Sequence, residues 1–337
     1  MSDVKILAVG DTHFKVSNLP ESREMASRIL KVAQASKPDA IVLLGDIHDD
    51  FERIHSSVLT AIQDMVRDLS RDFPVYMLIG NHDLINNSVF LEPKHPFNAL
   101  KEWRNVTVVD KVITRNIGGD QHGQLFTFLP YVPAGRFAEA LATCESWKSS
   151  RAIFCHQEFK RAKLGAIASE HGDDWPEGNN LVISGHIHDY DRLQSNILYV
   201  GTPMAHSFGD TATKTISLFT FKSDGEFEER RIDLKMPKRL TFELSIEEAM
   251  KFEVPENSIV RIYLKDTSGA LAAFKKTKDY KELEKKAKVI PKASDISEKI
   301  VSKGRTNYID ILKQEAEKSG PKILNALKKV LSNEDKP

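Results

Sequence analysis

Residues 4–13 read Val-Lys-Ile-Leu-Ala-Val-Gly-Asp-Thr-His, an apolar run that stops at Gly10-Asp11-Thr12-His13. A short run that is aliphatic everywhere but Lys5 has the length and composition of a strand buried on both faces. The form recurs twice. Residues 40–44 run into Gly45-Asp46-Ile47-His48-Asp49, and residues 75–79 into Gly80-Asn81-His82-Asp83. Between these runs, residues 21–36 and 54–71 place apolar side chains at helical spacing: Met25, Ile29, Leu30 and Val32 in the first, Val58, Ile62, Met65, Val66 and Leu69 in the second. Strand–helix–strand order implies right-handed crossovers and a parallel or mixed sheet. Later strands are expected at 106–109, 125–129, 152–155, 181–184, 197–200 and 216–221. Their closer spacing suits a second mixed sheet packed on the first.

Ligands of open α/β sheets bind at the carboxyl ends of strands. Asp11-x-His13, Gly45-Asp46 and Gly80-Asn81-His82-Asp83 each follow a strand, as do Cys155-His156 and Gly185-His186-Ile187-His188. Each fragment alone has an ordinary reading. Asp-x-His can cap a helix, Asn-His-Asp can make a turn, and His-x-His in a strand puts two imidazoles on one face through the period-two alternation. All five in order, each at a strand end, point to a metal centre. Imidazole, carboxylate and amide oxygen together suit Mn, Fe or Zn; the set is too rich in nitrogen for Ca and lacks the thiolates of a structural zinc site.

The series Asp11-x-His13, Gly45-Asp46, Gly80-Asn81-His82-Asp83, His156 and Gly185-His186-x-His188 resembles the calcineurin-like metallophosphoesterases, over about residues 4–235. The resemblance implies an α/β fold of two mixed sheets flanked by helices, with two divalent cations (Mn first, with Fe, Mg or Zn as alternatives). It implies that Asp11, His13 and His188 hold one cation, that Asn81, His156 and His186 hold the other, and that Asp46 bridges them. His82 would be the acid for the leaving oxygen, oriented by Asp83. Tyr199-Val200-Gly201-Thr202-Pro203, the close order of the motifs and the total length are similar to the SbcD-type recombination nucleases, including the nuclease subunit of T4-like phage exonuclease complexes. That branch implies a DNA nuclease acting on duplex ends and on single strands or hairpins. It also implies an SMC-like coiled-coil ATPase partner and a homodimer within a heterotetramer. Cellular relatives often carry histidine at the third position after the bridging Asp, whereas Asp49 stands there in this chain, one residue after His48. His48 and His206 are candidate substrate contacts. A small-substrate phosphodiesterase or phosphatase, or an architectural subunit that binds DNA ends, would be the competing readings.

The chain of 337 residues has room for about two domains, and three segments are expected. Residues 1–235 would be the catalytic domain, 236–298 a small α+β unit capping DNA, and 299–337 a helical segment docking the ATPase. The last carries an amphipathic helical pair at 306–332, and residues 271–288 read as one very basic helix. Lys+Arg and Asp+Glu both total 48, which argues against a chain that coats nucleic acid through bulk positive charge. The balance is uneven: residues 1–269 carry 31 basic and 38 acidic side chains, residues 270–337 carry 17 and 10. Two cysteines, Cys144 and Cys155, cannot make a disulfide framework, so a reducing compartment is expected: the cytoplasm, or the host cytoplasm or nucleoid for a phage-encoded chain. No apolar run approaches the ~18 residues of a membrane span.

Overall fold

The computed structural model describes residues 2–294 apart from 52, 120–122, 166 and 212. The chain divides between Arg239 and Leu240 into two compact units. The helical pair expected at 306–332 lies outside the described residues.

In the first unit, β1 (Val4–Val9), α1 (Leu19–Ser36), β2 (Ala40–Leu43), α2 (Ser56–Ser70), β3 (Val75–Leu78) and β4 (Val106–Val109) build a sheet with four parallel strands. The chain then forms β5 (Ile113–Ile117), β6 (Gln124–Leu129), α3 (Phe137–Ala142) and β7 (Ala152–Cys155). These are followed by the ribbon of β8 (Lys163–Leu164) and β9 (Ile167–Ala168), then by β10 (Leu181–Ser184), β11 (Asp191–Gln194) and β12 (Ile197–Tyr199). Finally β13 (Ile216–Phe221) and β14 (Phe227–Ile232) return to the first sheet. The two six-stranded sheets have the orders β14-β13-β1-β2-β3-β4 and β11-β12-β10-β7-β6-β5. This is the expected sandwich of mixed sheets flanked by helices.

Three apolar layers hold it. β1 divides its side chains between two of them, as a strand covered on both faces must. Val4, Ile6 and Ala8 meet Phe126, Phe128, Phe154 and Ile183 between the sheets. Leu7 and Val9 face Met25, Ile29, Ile62 and Val66 of α1 and α2. Beyond the second sheet, Phe137, Leu141 and Trp175 cover Leu129, Ile153 and Val182. Because β1–β4 are mutually parallel, as are β6, β7, β10 and β12, the loops bearing the motifs emerge at the carboxyl ends of parallel strands. The strands the sequence did not reveal are edge strands or the short ribbon. β5, β11 and β14 lie at sheet margins, and Phe227–Ile232 alternates half-buried and exposed residues, which reads as polar.

The second unit contains β15 (Lys238–Leu244), α4 (Ile246–Met250), β16 (Ser258–Asp266), α5 (Ser268–Phe274), α6 (Lys278–Lys286) and β17 (Lys288–Ala293), with sheet order β15-β16-β17. Val260, Ile262, Leu264, Leu271, Phe274 and Leu283 form its own core. The single basic helix expected over 271–288 is two helices. Thr277 has extended backbone and its hydroxyl accepts the Tyr280 N–H, which caps a new helix instead of continuing the old one. Lys288 already belongs to β17. Pro291 sits in that strand opposite Leu264, tolerated because the strand is an edge. Among the described residues no helix is long and apolar enough to cross a membrane.

Candidate metal centre

Five loops converge at the strand ends, and the backbone pays a conformational cost to shape them. His13, Asp46 and His186 all have positive φ, at 41°, 48° and 77°. Such values are uncommon for residues with a Cβ and cluster where function demands them. Gly80 and Gly185 permit close approaches between these loops. A Cβ on Gly80 would lie 2.2 Å from the Asp46 nitrogen, and one on Gly185 would lie 2.5 Å from Asp11 Oδ1.

Two groups of ligand atoms result. Donor atoms of Asp11, His13 and His188 lie within 4.8 Å of one another, and those of Asp46, His156 and His186 form a second group on the same terms. In the first, the Nε2 atoms of His13 and His188 face each other at 3.1 Å. In the second, His156 Nε2 lies 3.0 Å from Asn81 Oδ1, 3.2 Å from His186 Nδ1 and 3.4 Å from Asp46 Oδ2. Asn81 Oδ1 is also 3.0 Å from His186 Nδ1. Asp46 Oδ2 joins the groups, since it is 3.9 Å from His13 Nε2 as well. His186 and His188 therefore serve different groups. They do not share the face of a strand, because β10 ends at Ser184 and His186 turns the chain in the left-handed region.

These atoms suit a cation and little else. His156 Nδ1 donates to the Leu44 carbonyl at 2.8 Å, so in the neutral ring Nε2 carries a lone pair. That lone pair points into a space lined by Asn81 Oδ1, Asp46 Oδ2 and the His186 nitrogen. Asp11 Oδ2 is buried with no hydrogen-bond partner. The field agrees. Burial would lower the His156 pKa, but the Asp46 and Asp11 carboxylates raise it to about 9. His13 is raised in the same way, against burial, by Asp49, Asp46 and Asp11. Asp46 is held well below the carboxylate range, despite burial, by His156, His13 and His82. A space that attracts a proton this strongly attracts a divalent ion through the same charges.

The supporting contacts are partly unexpected. His82 Nδ1 meets the Asp49 carbonyl at 2.6 Å, its backbone N–H donates to Asp46 Oδ1 at 2.8 Å, and its Nε2 lies 4.0 Å from Asp46 Oδ2. Asp83, expected to orient His82, does something else. It is buried and accepts the backbone N–H groups of Gly80 at 2.9 Å, Ile47 at 3.0 Å and His48 at 3.3 Å. It thus ties the loop after β2 to the loop after β3. Burial and the charge of Asp46 push its pKa up to about 7. His48, expected to meet substrate, is buried edge-on against Phe97 with ring centroids 5.9 Å apart. Burial lowers its pKa to about 4. His206 joins the first group from the side: its Nε2 is 3.1 Å from the Asp11 carbonyl and its ring 5.1 Å from that of His13. Burial, with His13 and His188 nearby, takes its pKa well below the usual value.

Three contributors were given no role from the sequence, although Asp49 stood out there as a departure from the related pattern. The Asp49 carboxylate places Oδ1 3.1 Å from His13 Nδ1 and Oδ2 3.1 Å from Lys15 Nζ. Glu158 stands 3.6 Å from His186 Nε2, on the far side of that ring from Asn81, and is held by the Ser169 hydroxyl. Phe51 stacks on His82 with centroids 4.4 Å apart. Only the folded loops bring these together, although Glu158 lies two residues beyond His156 and Asp49 three beyond Asp46.

A two-sheet α/β sandwich that gathers two such ligand groups around a shared aspartate is the architecture of a metallophosphoesterase. The chain belongs to the calcineurin-like phosphoesterase family, whose sequence profile matches residues 4–190. Over 338 residues it is 36% identical to phosphoesterase 078R of Invertebrate iridescent virus 3, covering 97% of this chain and 96% of the relative. Over 288 residues it is 38% identical to phosphoesterase 244L of Invertebrate iridescent virus 6, covering 82% and 99%. Both relatives bear provisional phosphoesterase names. Among solved structures, TT1561 of Thermus thermophilus is similar with a TM-score of 0.42 and 14% identity, over 68% of this chain and 99% of that one.

Proposed function

We propose that the chain is a manganese-dependent DNA nuclease. It would degrade duplex ends and cut single strands or hairpins, working with an SMC-like coiled-coil ATPase in end processing, recombination and repair. The observation that carries the chemistry is Asp46, whose Oδ2 faces His156 at 3.4 Å, His13 at 3.9 Å and His82 at 4.0 Å. One carboxylate thus adjoins both ligand groups and the candidate acid.

Asp11, His13 and His188 would hold one cation, Asn81, His156 and His186 the other, and Asp46 both. Cations bound there supply Lewis acidity to the phosphoryl group and acidify the attacking water. The chain's own residues supply geometry and a proton. The Leu44 carbonyl fixes which nitrogen of His156 faces inward, and Asp83 locks the two loops that carry Asp46 and Asn81. His82 is partly exposed, so substrate reaches it. Its Nδ1 donates to the Asp49 carbonyl, and the proton delivered to the departing sugar oxygen is the one on Nε2. The DNA reading is supported by the second unit, where residues 275–292 carry eight lysines against three acids. Such a surface suits phosphate backbones, and a small-substrate enzyme has no need of it. The ATPase would be met by residues 299–337.

Replacing His82 with Ala should slow degradation of linear duplex DNA by about 10²–10⁴-fold; a wild-type rate would remove the acid assignment. Deleting residues 300–337 should abolish association with the ATPase and leave hydrolysis of bis(4-nitrophenyl) phosphate intact. A chain that hydrolyses that ester but never DNA would be a small-substrate phosphodiesterase.

A further inference from the structure

Five large apolar side chains are exposed among the described residues: Val16, Phe51, Ile85, Ile167 and Met250. Three of them fall in the loops that carry the metal centre. Val16 follows His13 by three residues, Phe51 follows Asp46 by five, and Ile85 follows His82 by three. Apolar side chains exposed singly are ordinary, but Phe51 is aromatic and lies at the reaction centre, where an exposed ring offers a face on which a flat group can stack.

Phe51 is the most informative of the three. Its ring lies on the His82 imidazole at 4.4 Å and 26°, yet 41% of the residue is exposed. His82 is itself anchored through the Asp49 carbonyl, so ring and imidazole form a fixed pair beside Asp46. The leaving oxygen must lie next to the acid that protonates it. Whatever is attached to that oxygen therefore extends toward His82 and the ring stacked on it. For DNA, the attached group is a nucleoside, whose base is flat and stacks on aromatic rings without regard to sequence.

We infer that Phe51 is a stacking platform for the base of the leaving nucleotide, forming a subsite next to the catalytic acid. This rests on the nuclease reading above. The subsite takes the planar, uncharged part of the substrate while the metal centre takes the phosphate, and it favours nucleotide phosphodiesters over esters of small alkyl alcohols.

The test uses the full-length manganese-loaded protein and short single-stranded oligonucleotides with one cleavable phosphodiester. The nucleotide on each side of that linkage in turn carries either adenine or a tetrahydrofuran abasic residue. The wild type should cleave the adenine substrate about ten-fold faster than the abasic one on the leaving side. Phe51→Ala should bring that ratio close to one, and Phe51→Trp should keep it. Because the readout is a ratio, any general effect of the variant on His82 cancels. An equal loss by Phe51→Ala on both substrates would make Phe51 merely a support for His82, and a wild type indifferent to the abasic site would also overturn the subsite. Hydrolysis of bis(4-nitrophenyl) phosphate without any cleavage of DNA would overturn the nuclease reading and the subsite together.

Discussion

The two ligand groups hold similar side chains but are supported in different ways. The group of Asn81, His156 and His186 rests mainly on backbone. His156 is fully buried and fixed by the Leu44 carbonyl, while Asp83 pins the adjoining loops through three backbone N–H groups. The group of Asp11, His13 and His188 rests more on side chains, although the His186 backbone N–H donates to Asp11 Oδ1 at 3.1 Å. His13 leans on Asp49, and Asp49 on Lys15, both partly exposed. Peptide groups cannot swing away, whereas an ion pair near solvent is screened and mobile. The first arrangement makes a site set by the fold, and the second makes one that depends on a few substitutable side chains.

The largest effect should come from removing what the groups share. Asp46→Asn keeps the shape but takes away the charge next to both His156 and His13. Bound metal, measured by mass spectrometry after gel filtration, should fall from about two per chain to about one or fewer. Hydrolysis of a phosphodiester should fall about a thousand-fold. Two metals retained in the variant would mean that the groups do not depend on a common ligand.

A smaller effect tests the backbone support. Asp83→Ala leaves the Gly80, Ile47 and His48 N–H groups without their acceptor in a buried place. Unfolding by urea should show a loss of about 3 kcal/mol, since each buried unpaired donor costs about 1–3 kcal/mol and the burial of Asp83 itself is relieved. The same variant should weaken the Asn81 group more than the Asp11 group. Equal weakening would show that Asp83 stabilises the domain without shaping either site.

Metal removal separates the groups further. Each cation present at a hundred times its dissociation constant should stabilise the fold by about 2.7 kcal/mol. Chelation followed by titration with Mn should therefore raise the melting temperature in two steps. One unresolved step would show that the groups fill as a unit, and the contrast in their supports would lose its consequence.

The sequence made the frame of this site legible for a physical reason. Strands buried on both faces are short aliphatic runs, and the residues that follow them are forced to the same sheet edge, so Asp11, Asp46, Asn81, His156 and His186 could be placed together. The supports were not legible. Asp83 follows His82, which suggests a pair, but successive side chains at a turn diverge, and the Asp83 carboxylate finds backbone N–H groups from a loop 35 residues away. Asp49 and Glu158 reach their histidines only through the folded loops. The helix expected over 271–288 failed for a local reason: its apolar pattern runs on past Thr277, where hydroxyl capping overrides the periodicity.

The finest test compares Asp49 with Glu158, the carboxylates behind one imidazole in each group. Asp49 Oδ1 is 3.1 Å from His13 Nδ1, and Glu158 Oε2 is 3.6 Å from His186 Nε2. A carboxylate behind a metal-binding imidazole orients the ring and makes it a better donor, and losing one weakens binding by about 10–100-fold. Asp49→Ala removes only the carboxylate, since the Asp49 carbonyl that meets His82 is backbone and remains. Isothermal titration of Mn into the metal-free protein at about pH 8, where protons compete less for the imidazoles than at neutral pH, should show one site weakened and the other unchanged. Glu158→Ala should weaken the opposite site by the smaller factor, because its contact is longer and the backbone still holds His156. If each variant weakened both sites alike, the link through Asp46 would outweigh the separate supports, and the two groups would behave as one site with a common ligand.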